Sequence, residues 1–232
     1  MNCGKWTTCI FDLDGTLLET LKSMYVSVNK TMDRLGLPAI TIDECRRFVG
    51  CGADYLIRES LKAVGDVEMT CFNDAKRMYA EIFRDYCTYD TIPYKGITEL
   101  LGNLKSKGFK LGVLSNKPHE RANQVILNAF GDEIFDAVMG QCDDRPRKPD
   151  PAGVYELLGM LKGTPESCVY IGDSEIDVRT GRRAGIFTIA VSWGFRDRML
   201  LTAEHPDFIA DNAEGLGRYI LADHCILESR EE

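Results

Sequence analysis

From residue 93 onward, the sequence alternates short apolar runs with segments of helical pattern, and this alternation constrains the fold most strongly. Apolar residues that repeat at three- and four-residue steps predict helices at 96–106, 119–130, 152–161 and 175–184. The apolar runs predict strands at 110–116, 135–141, 168–174, 187–193 and 207–212. Short, uninterrupted apolar runs between helices are typical of a parallel sheet that helices cover on both faces.

One further apolar run, TTCIFD at 7–12, is separated from the others by a long segment of helical pattern. Helices are expected in this segment at 17–35, after a capping box of Thr41 and Glu44, at 53–64 and at 72–86. The simplest architecture is an α/β fold, in which a Rossmann-like, doubly wound parallel sheet carries an all-helical domain inserted after its first strand. We therefore expect an α/β core of residues 1–16 and 93–232 and a helical domain of residues 17–92.

Composition limits the classes of partner. A formal net charge of −8, without a dense run of Lys or Arg, argues against a nucleic-acid surface. No apolar stretch approaches the roughly 18 residues of a membrane-spanning helix, and the opening MNCGKWTT lacks the profile of a signal peptide. The nine cysteines form no C-x-x-C pair, and His119, His205 and His224 lie far apart, which argues against zinc. These features predict a cytoplasmic protein with reduced thiols, a monomer by default with a dimer as the alternative.

Polar residues follow three of the predicted strands at the point where each strand ends. The runs TTCIF, KLGVL and CVYIG are followed by Asp12, Ser115 and Asp173. In an open parallel sheet, ligands bind outside the carboxyl ends of the strands. We therefore expect one cluster of polar side chains at this edge: Asp12, Asp14, Ser115, Asn116, Lys148, Asp173 and Asp177. Crowded carboxylates repel each other unless a positive group holds them, and a metal ion is the obvious candidate.

Four motifs in this cluster resemble those of the haloacid dehalogenase superfamily of phosphohydrolases. They are DLDGT at 12–16, SN at 115–116, Lys148 and GDSEID at 172–177, in the order that the family uses. The helical insertion resembles the cap of that family. Three further stretches, FVGCGADYLI at 48–57, SNKP at 115–118 and SWGFRDR at 192–198, resemble the phosphoglycolate-phosphatase-like branch.

The resemblance implies a role for each residue of the cluster. Asp12 is the implied nucleophile and forms an aspartyl-phosphate, while Asp14 protonates the leaving oxygen and later accepts a proton from water. Lys148, Ser115 and Asn116 are the implied phosphate-binding residues. The implied cofactor is Mg²⁺, held by the carboxylates of Asp12 and Asp173 and the backbone carbonyl of Asp14. Asp177 is the implied ligand of the ion either directly or through a neighbouring group.

The implied activity is hydrolysis of a small phosphomonoester, with 2-phosphoglycolate as the best single candidate. An inorganic pyrophosphatase and a sugar-phosphate phosphatase or phosphomutase share the same core and stay alternatives. A non-catalytic phosphate-binding protein is disfavoured because Asp12, Asp14 and Lys148 are all present. No nucleic-acid or membrane partner is expected.

Two groups of charged residues also have simpler interpretations. Asp177 is typical of a carboxylate in the first turn of a helix, where the helix dipole favours it. Arg46, Arg47 and Arg58 flank the loop around Cys51, where they could meet a substrate carboxylate. Arginines at such spacing are more often a solvated helix face.

Overall fold

The computed structural model describes residues 6–222. Its strands, numbered in chain order, are β1 (Thr8–Phe11), β2 (Leu18–Glu19), β3 (Ile92–Pro93), β4 (Lys110–Pro118), β5 (Ala137–Gln141), β6 (Cys168–Gly172), β7 (Phe187–Val191) and β8 (Phe208–Ala210). Its α-helices are α1 (Leu21–Arg34), α2 (Ile42–Phe48), α3 (Ala53–Ala63), α4 (Phe72–Tyr86), α5 (Ile97–Ser106), α6 (His119–Phe130), α7 (Ala152–Leu161), α8 (Glu175–Ala184), α9 (Arg198–Ala203) and α10 (Ala213–Leu221).

The main sheet is parallel, with the strand order β5-β4-β1-β6-β7-β8. β1 lies inside it, and Ile10 is in register with Gly112 of β4 and Tyr170 of β6. The chain adds strands first on one side of β1 and then on the other. The carboxyl ends of β1, β4 and β6 therefore meet at a topological switch point, where α/β proteins bind ligands. The structure contains each strand predicted from an apolar run, which confirms the α/β prediction.

Helices cover both faces of this sheet. On one face, Phe11 belongs to a buried cluster that includes residues of α5, α6 and α10. On the other, Ile10 and Tyr170 pack in a cluster with Leu157 and Leu161 of α7. Adjacent strand residues point to opposite faces, so a run that is apolar throughout indicates a strand buried on both sides. Burying each such side chain stabilises the fold by about 1.5–3 kcal/mol.

The long helical segment, residues 17–92, forms α1–α4 as expected. Met24 and Val28 of α1 and Tyr79 and Phe83 of α4 belong to a buried cluster that is continuous with one face of the sheet. The predicted capping box begins α2, where the Thr41 hydroxyl accepts a hydrogen bond from the Glu44 amide and the Glu44 carboxylate accepts one from the Thr41 amide. This reciprocal bonding satisfies backbone donors that a helix start leaves free.

The first helix begins later than the sequence predicts. α1 starts at Leu21, whereas Leu18–Glu19 forms β2 and pairs antiparallel with Ile92–Pro93 of β3. Leu17 and Leu18 are fully buried, so their spacing from later apolar residues imitates the face of a helix. Such spacing reports burial and does not by itself identify the backbone conformation.

Several other boundaries shift by one or two residues, and two C-terminal helices were not expected. Gly96 caps α5 instead of beginning it, and α3 ends at Ala63 instead of residue 64. α9 and α10 are absent from the sequence-based prediction. The sequence contained a signal for the start of α10, since Asn is a favoured N-cap residue. In the structure, the Asn212 side chain accepts a hydrogen bond from the backbone of Gly215 at 2.8 Å.

Some expectations lie outside the described residues: those that depend on residues 1–5 of the opening MNCGKWTT and on His224. Between residues 6 and 222, no helix has both the length and the apolar character needed to cross a bilayer.

Candidate active site

The predicted polar residues line one cavity at the carboxyl edge of the sheet. Asp12 and Asp173 directly follow β1 and β6, and Ser115 lies in the last part of β4. The lining includes every predicted site residue: Asp12, Asp14, Ser115, Asn116, Lys148, Asp173 and Asp177. The structure thus brings together residues that are widely separated in sequence, and their contacts define what each can do.

Lys148 joins two of the carboxylates. Its Nζ lies 2.7 Å from Oδ1 of Asp12 and 2.7 Å from Oδ1 of Asp177. Burial by itself would lower the pKa of Lys148, but the charges of Asp12 and Asp177 raise this pKa well above its ordinary value. The ammonium group is therefore charged at neutral pH, and it orients the Asp12 side chain.

Three buried carboxylates approach one another beside this lysine. One oxygen from each of Asp12, Asp173 and Asp177 lies within 4.8 Å of the other two. Burial raises the pKa of Asp12 to about 7, with Lys148 opposing the shift and Asp177 and Asp14 adding to it. Burial and the charges of Asp177 and Asp12 likewise raise the pKa of Asp173 well above its ordinary value. A set of crowded oxygen ligands short of positive charge suits a hard divalent cation.

Asp173 is held in place by its neighbours. The Thr16 hydroxyl donates to Oδ1 at 3.2 Å, and the Phe195 amide donates to Oδ2 at 2.7 Å. Two glycines allow the backbone to pass close to this carboxylate. A Cβ atom at Gly15 would lie 2.3 Å from Oδ2 of Asp173, and one at Gly194 would lie 2.3 Å from its Cβ. Sequence reasoning missed Phe195 and Gly194, although both lie in the SWGFRDR stretch.

Substituting Gly15→Ala is expected to destabilise the protein and impair the site. Gly15 has φ +89°, which an L residue rarely adopts, and the new methyl group would overlap Asp173. We expect a loss of at least about 2 kcal/mol in the free energy of unfolding, measured by denaturant titration. Gly102→Ala in α5 is the control, because nothing lies within 4 Å of that position and Ala favours a helix. Equal stability of the two variants would contradict the close approach.

Asp14 is bound by two residues that sequence reasoning did not assign to it. Lys117 Nζ lies 2.7 Å and the Thr20 hydroxyl 2.6 Å from Oδ1 of Asp14. The Lys117 side chain is only 2 % exposed. Its position two residues after Ser115, in the SNKP stretch, was the available signal. The two contacts hold the Asp14 carboxylate at the cavity wall.

Asn116 and Ser115 differ in whether a hydrogen-bond donor of the side chain is left available for a ligand. The Asn116 side-chain NH₂ donates to the carbonyls of Gly50 at 3.0 Å and Lys148 at 3.1 Å, and its Oδ1 accepts from the Lys148 amide at 2.9 Å. Asn116 thus braces the loops that carry Lys148 and Gly50. The Ser115 hydroxyl accepts from the Lys117 amide at 3.1 Å. Its own hydrogen has no acceptor among residues 6–222 and is available inside the cavity.

Asp177 lies in the first turn of α8, as one interpretation of its sequence position held, and it also contacts Lys148 in the cavity. It is the third residue of α8, where it forms a capping box with Ser174. Its Oδ2 accepts from the Ser174 hydroxyl at 2.6 Å and amide at 3.1 Å, while Oδ1 accepts from Lys148 and Tyr170. Four donors therefore already occupy this carboxylate.

The helical segment forms part of the cavity lining and is hydrogen-bonded to the core beside it. Arg196 donates to the carbonyls of Arg46 at 2.9 Å and Val49 at 2.8 Å, and its Nε pairs with Glu175 at 2.9 Å. Apolar side chains of α1, α3 and α4 form the wall that faces the carboxylates: Met24, Leu56, Tyr79 and Phe83. The cavity is about 50 Å³ and partly open to solvent, and its size suits a compact ligand.

The arginines of the helical segment lie elsewhere. Arg46 pairs with Asp43 at 3.0 Å, and the Arg58 guanidinium lies 4.0 Å above the Phe72 ring. Arg47 is exposed. Among the described residues, the cavity lining contains none of these three, so the solvated-face interpretation fits them better than contact with substrate.

Sequence comparison identifies the class of protein that this fold and site define. Residues 9–191 match the family of haloacid dehalogenase-like hydrolases. The chain belongs to this family, as its motifs predicted. Phosphoglycolate phosphatase of Aquifex aeolicus is 33% identical over 225 residues, which cover 94% of this chain and 98% of the relative. Phosphoglycolate phosphatase of Haemophilus influenzae is 31% identical and covers 87% of this chain and 92% of its own. Within the family, the relatives place the chain among the phosphatases.

Solved structures show the same architecture. A Lactobacillus delbrueckii protein, provisionally assigned as a phosphoglycolate phosphatase, has a TM-score of 0.87 and 32% identity, and the alignment covers 94% of this chain and 99% of that one. CbbY of Rhodobacter sphaeroides, solved in complex with phosphate, has a TM-score of 0.78 and 26% identity, with coverage of 91% and 96%. A mutant of CbbY was solved in complex with xylulose-(1,5)bisphosphate.

Proposed function

We propose that this protein is a Mg²⁺-dependent phosphatase that hydrolyses a small phosphomonoester through an aspartyl-phosphate, with 2-phosphoglycolate as the preferred substrate. The observation that carries the proposal is the state of Asp12. Its Oδ1 is fixed by the buried Lys148, while its Oδ2 accepts no hydrogen bond from any group in residues 6–222. An oriented carboxylate with one free oxygen at the cavity is what a nucleophile requires.

The proposed reaction has two steps that conserve atoms and protons. The free oxygen of Asp12 attacks phosphorus, the bond between phosphorus and the ester oxygen breaks, and Asp14, which enters this step as the carboxylic acid, donates its proton to that oxygen. Asp14 then takes a proton from a water molecule, whose oxygen attacks the phosphorus and releases Asp12 and phosphate. Lys148 and the free Ser115 hydroxyl would stabilise the charge on the phosphoryl oxygens. Asn116 contributes by holding the backbone of Lys148.

The carboxylate cluster fits a divalent cation, because Asp12 and Asp173 are buried, crowded and short of positive charge. In the proposed site, these two carboxylates and the backbone carbonyl of Asp14 would hold Mg²⁺, which would supply positive charge that lets a phosphate dianion approach. We assign Asp177 an indirect part, because four donors already occupy its oxygens. It orients Lys148 and begins α8.

Removing divalent metal is expected to abolish phosphate release and to lower stability. We expect EDTA to reduce turnover at least about 100-fold and Mg²⁺ to restore it. Saturating Mg²⁺ should also raise the melting temperature, because a ligand that binds only the folded state stabilises it by about 2.7 kcal/mol at 100 times its Kd. Asp173→Asn is expected to lose this thermal shift. A shift of wild-type size in that variant would contradict the assigned ligand.

We propose that residues 17–92 act as a cap domain that excludes water from the first step and selects the substrate. The contacts of Arg196 with the Arg46 and Val49 carbonyls, and of Asn116 with Gly50, support this assignment because they join the helical segment to the core at the cavity mouth. Closure over a reacting centre is a common way to exclude water and to commit a substrate.

The substrate assignment rests on relatives named phosphoglycolate phosphatase and on the small cavity. A sugar bisphosphate is the second candidate, because CbbY shares the fold and has been solved with one. The test is phosphate release from 2-phosphoglycolate, pyrophosphate, sugar phosphates and nucleotides, each with Mg²⁺ and with EDTA. Selective release from 2-phosphoglycolate is expected. Preference for another ester would retain the chemistry and replace the substrate, and no release from any of them would refute the phosphatase proposal.

A further inference from the structure

Among residues 6–222, three cationic side chains line the cavity, and they differ in how many of their donors form hydrogen bonds. Lys148 is bound by Asp12 and Asp177. Each nitrogen of Arg196 donates a hydrogen bond, to Glu175 or to the backbone of the helical segment. An ammonium group carries three N–H donors, and within residues 6–222 the only hydrogen-bond acceptor of Lys117 is Asp14.

Lys117 is nearly inaccessible to bulk solvent, although two of its donors have no acceptor in the described part of the chain. Its side chain is 2 % exposed, and its Nζ lies 4.9 Å from the centre of the Phe83 ring in α4. A buried N–H of a charged group that lacks an acceptor costs free energy, because it has lost its hydrogen bond to water without gaining another. Since Lys117 lines the cavity, a bound anion is the natural acceptor.

Tyr79 of α4 presents a second unused donor in the same cavity. It is 3 % exposed, and no group in residues 6–222 accepts a hydrogen bond from its hydroxyl. Burial, and then the neighbouring Cys45 and Asp14, raise the pKa of Tyr79 well above its ordinary value, so the hydroxyl keeps its proton. The cavity that contains Asp14 is therefore lined by one such residue from the core and one from the helical segment.

We propose that Lys117 and Tyr79 bind the carboxylate of the leaving group and so make the enzyme selective for phosphate esters of short α-hydroxy acids. This inference rests on the proposed phosphatase function. Asp14 must touch the ester oxygen to protonate it, and in such an ester the carboxylate carbon is two bonds from that oxygen. Lys117 Nζ lies 2.7 Å from Asp14, so the carboxylate of a bound substrate falls beside the ammonium group.

This assignment differs from one that the sequence left open. Arg46, Arg47 and Arg58 could meet a substrate carboxylate by their sequence position, yet they are exposed or bonded outside the cavity. Lys117 belongs to β4 and comes two residues after Ser115, so the same strand would bind both the phosphate and the carboxylate. The fixed spacing of these residues on β4 would then match the short distance between the phosphate and the carboxylate of the substrate. Esters of longer acids, in which the two groups lie farther apart, would fit less well.

The test compares 2-phosphoglycolate with glycolamide phosphate, an analogue of the same shape in which an uncharged amide replaces the carboxylate. The measured quantity is the ratio of kcat/KM for the two substrates, in the wild type, Lys117→Met, Tyr79→Phe and Lys62→Met. Hydrogen bonds to charged groups predict a wild-type preference for the acid of at least about tenfold. Lys117→Met is expected to remove most of this preference, Tyr79→Phe to reduce it several-fold, and the exposed control Lys62→Met to keep it.

The ratio of kcat/KM for the two substrates distinguishes binding of the substrate carboxylate by Lys117 from an effect of Lys117 on the position of Asp14. If Lys117 acted only through Asp14, Lys117→Met would slow both substrates by the same factor, and that result together with an unchanged ratio in Tyr79→Phe would overturn the inference. Tyr79→Phe removes no hydrogen bond within the described residues, so it is expected to fold normally.

A binding measurement keeps this test independent of turnover. In the Asp12→Asn variant, calorimetry would compare the affinity for 2-phosphoglycolate with that for inorganic phosphate, with and without Lys117→Met. The inference predicts that adding Lys117→Met weakens only 2-phosphoglycolate, at least about tenfold; equal weakening of both ligands would refute it. Absence of turnover in the wild type would refute the proposed function, whereas this comparison would still report on the carboxylate site.

Discussion

Asp12→Asn is expected to reduce phosphate release at least about 10⁴-fold, the scale of loss when a hydrolase nucleophile is removed. An amide has the shape of the carboxylate but does not attack phosphorus at a useful rate. The loss should appear in kcat for every substrate that the wild type hydrolyses. Residual activity must be measured on protein purified under conditions that exclude contaminating phosphatases, and the exposed Asp85→Asn is the matched control.

The same substitution should leave the fold intact. Asp12 is one of three carboxylates that crowd one another, and it also pairs with Lys148, so replacing it removes repulsion as well as an ion pair. Lys148 keeps Asp177 as a partner and can donate to the amide oxygen of the new side chain. We expect the free energy of unfolding in metal-free buffer to equal or exceed that of the wild type. A fully active Asp12→Asn preparation would exclude Asp12 as the nucleophile.

Lys148→Met is expected to combine a catalytic loss with a loss of stability. The ammonium group contacts the proposed nucleophile and would stabilise charge on the transferring phosphoryl group, so its removal should cost about a thousandfold in kcat. Its removal also leaves Asp12 and Asp177 buried without a cation. Deleting one partner of a buried ion pair typically costs about 3–5 kcal/mol.

The two variants therefore differ in the sign of their effect on stability, although both are expected to be inactive. Denaturant titration in metal-free buffer should show a large loss for Lys148→Met and none for Asp12→Asn. Added Mg²⁺ should recover part of the loss in Lys148→Met, because it supplies positive charge to the same carboxylates. Lys76→Met is the control, since its exposed pair with Asp54 contributes little. A Lys148→Met variant of wild-type stability would contradict the charge balance derived from the structure.

Much of the fold was predictable from the sequence because its physical cause is local. Uninterrupted apolar runs report strands buried on both faces, and helical spacing reports one buried helix face. The start of the first helix is the exception. Leu18 lies in β2 and Leu17 directly precedes it, and because both are buried, their spacing imitates that of a helix face. Burial leaves the same mark on the sequence whichever backbone conformation produces it.

The candidate site could be predicted in part for a similar reason. Asp12 and Asp173 directly follow strands and Ser115 lies in the last part of one, and parallel strands place their carboxyl ends at one edge. Their association therefore follows from the strand order, which short connections and the helical insertion constrain. The resemblance to a known family added Lys148, whose loop position alone does not distinguish it from a solvated lysine.

By itself, the sequence determined the α/β class, the helical insertion and the set of polar residues that could meet at one edge. Only the tertiary structure decided how those residues are partnered. It showed that Asn116 braces a loop, that Asp177 is fully engaged, and that Lys117 and Tyr79 retain donors that nothing in residues 6–222 accepts. Hydrogen-bond satisfaction depends on distances of a few tenths of an ångström between segments far apart in the chain, and no local pattern records such distances.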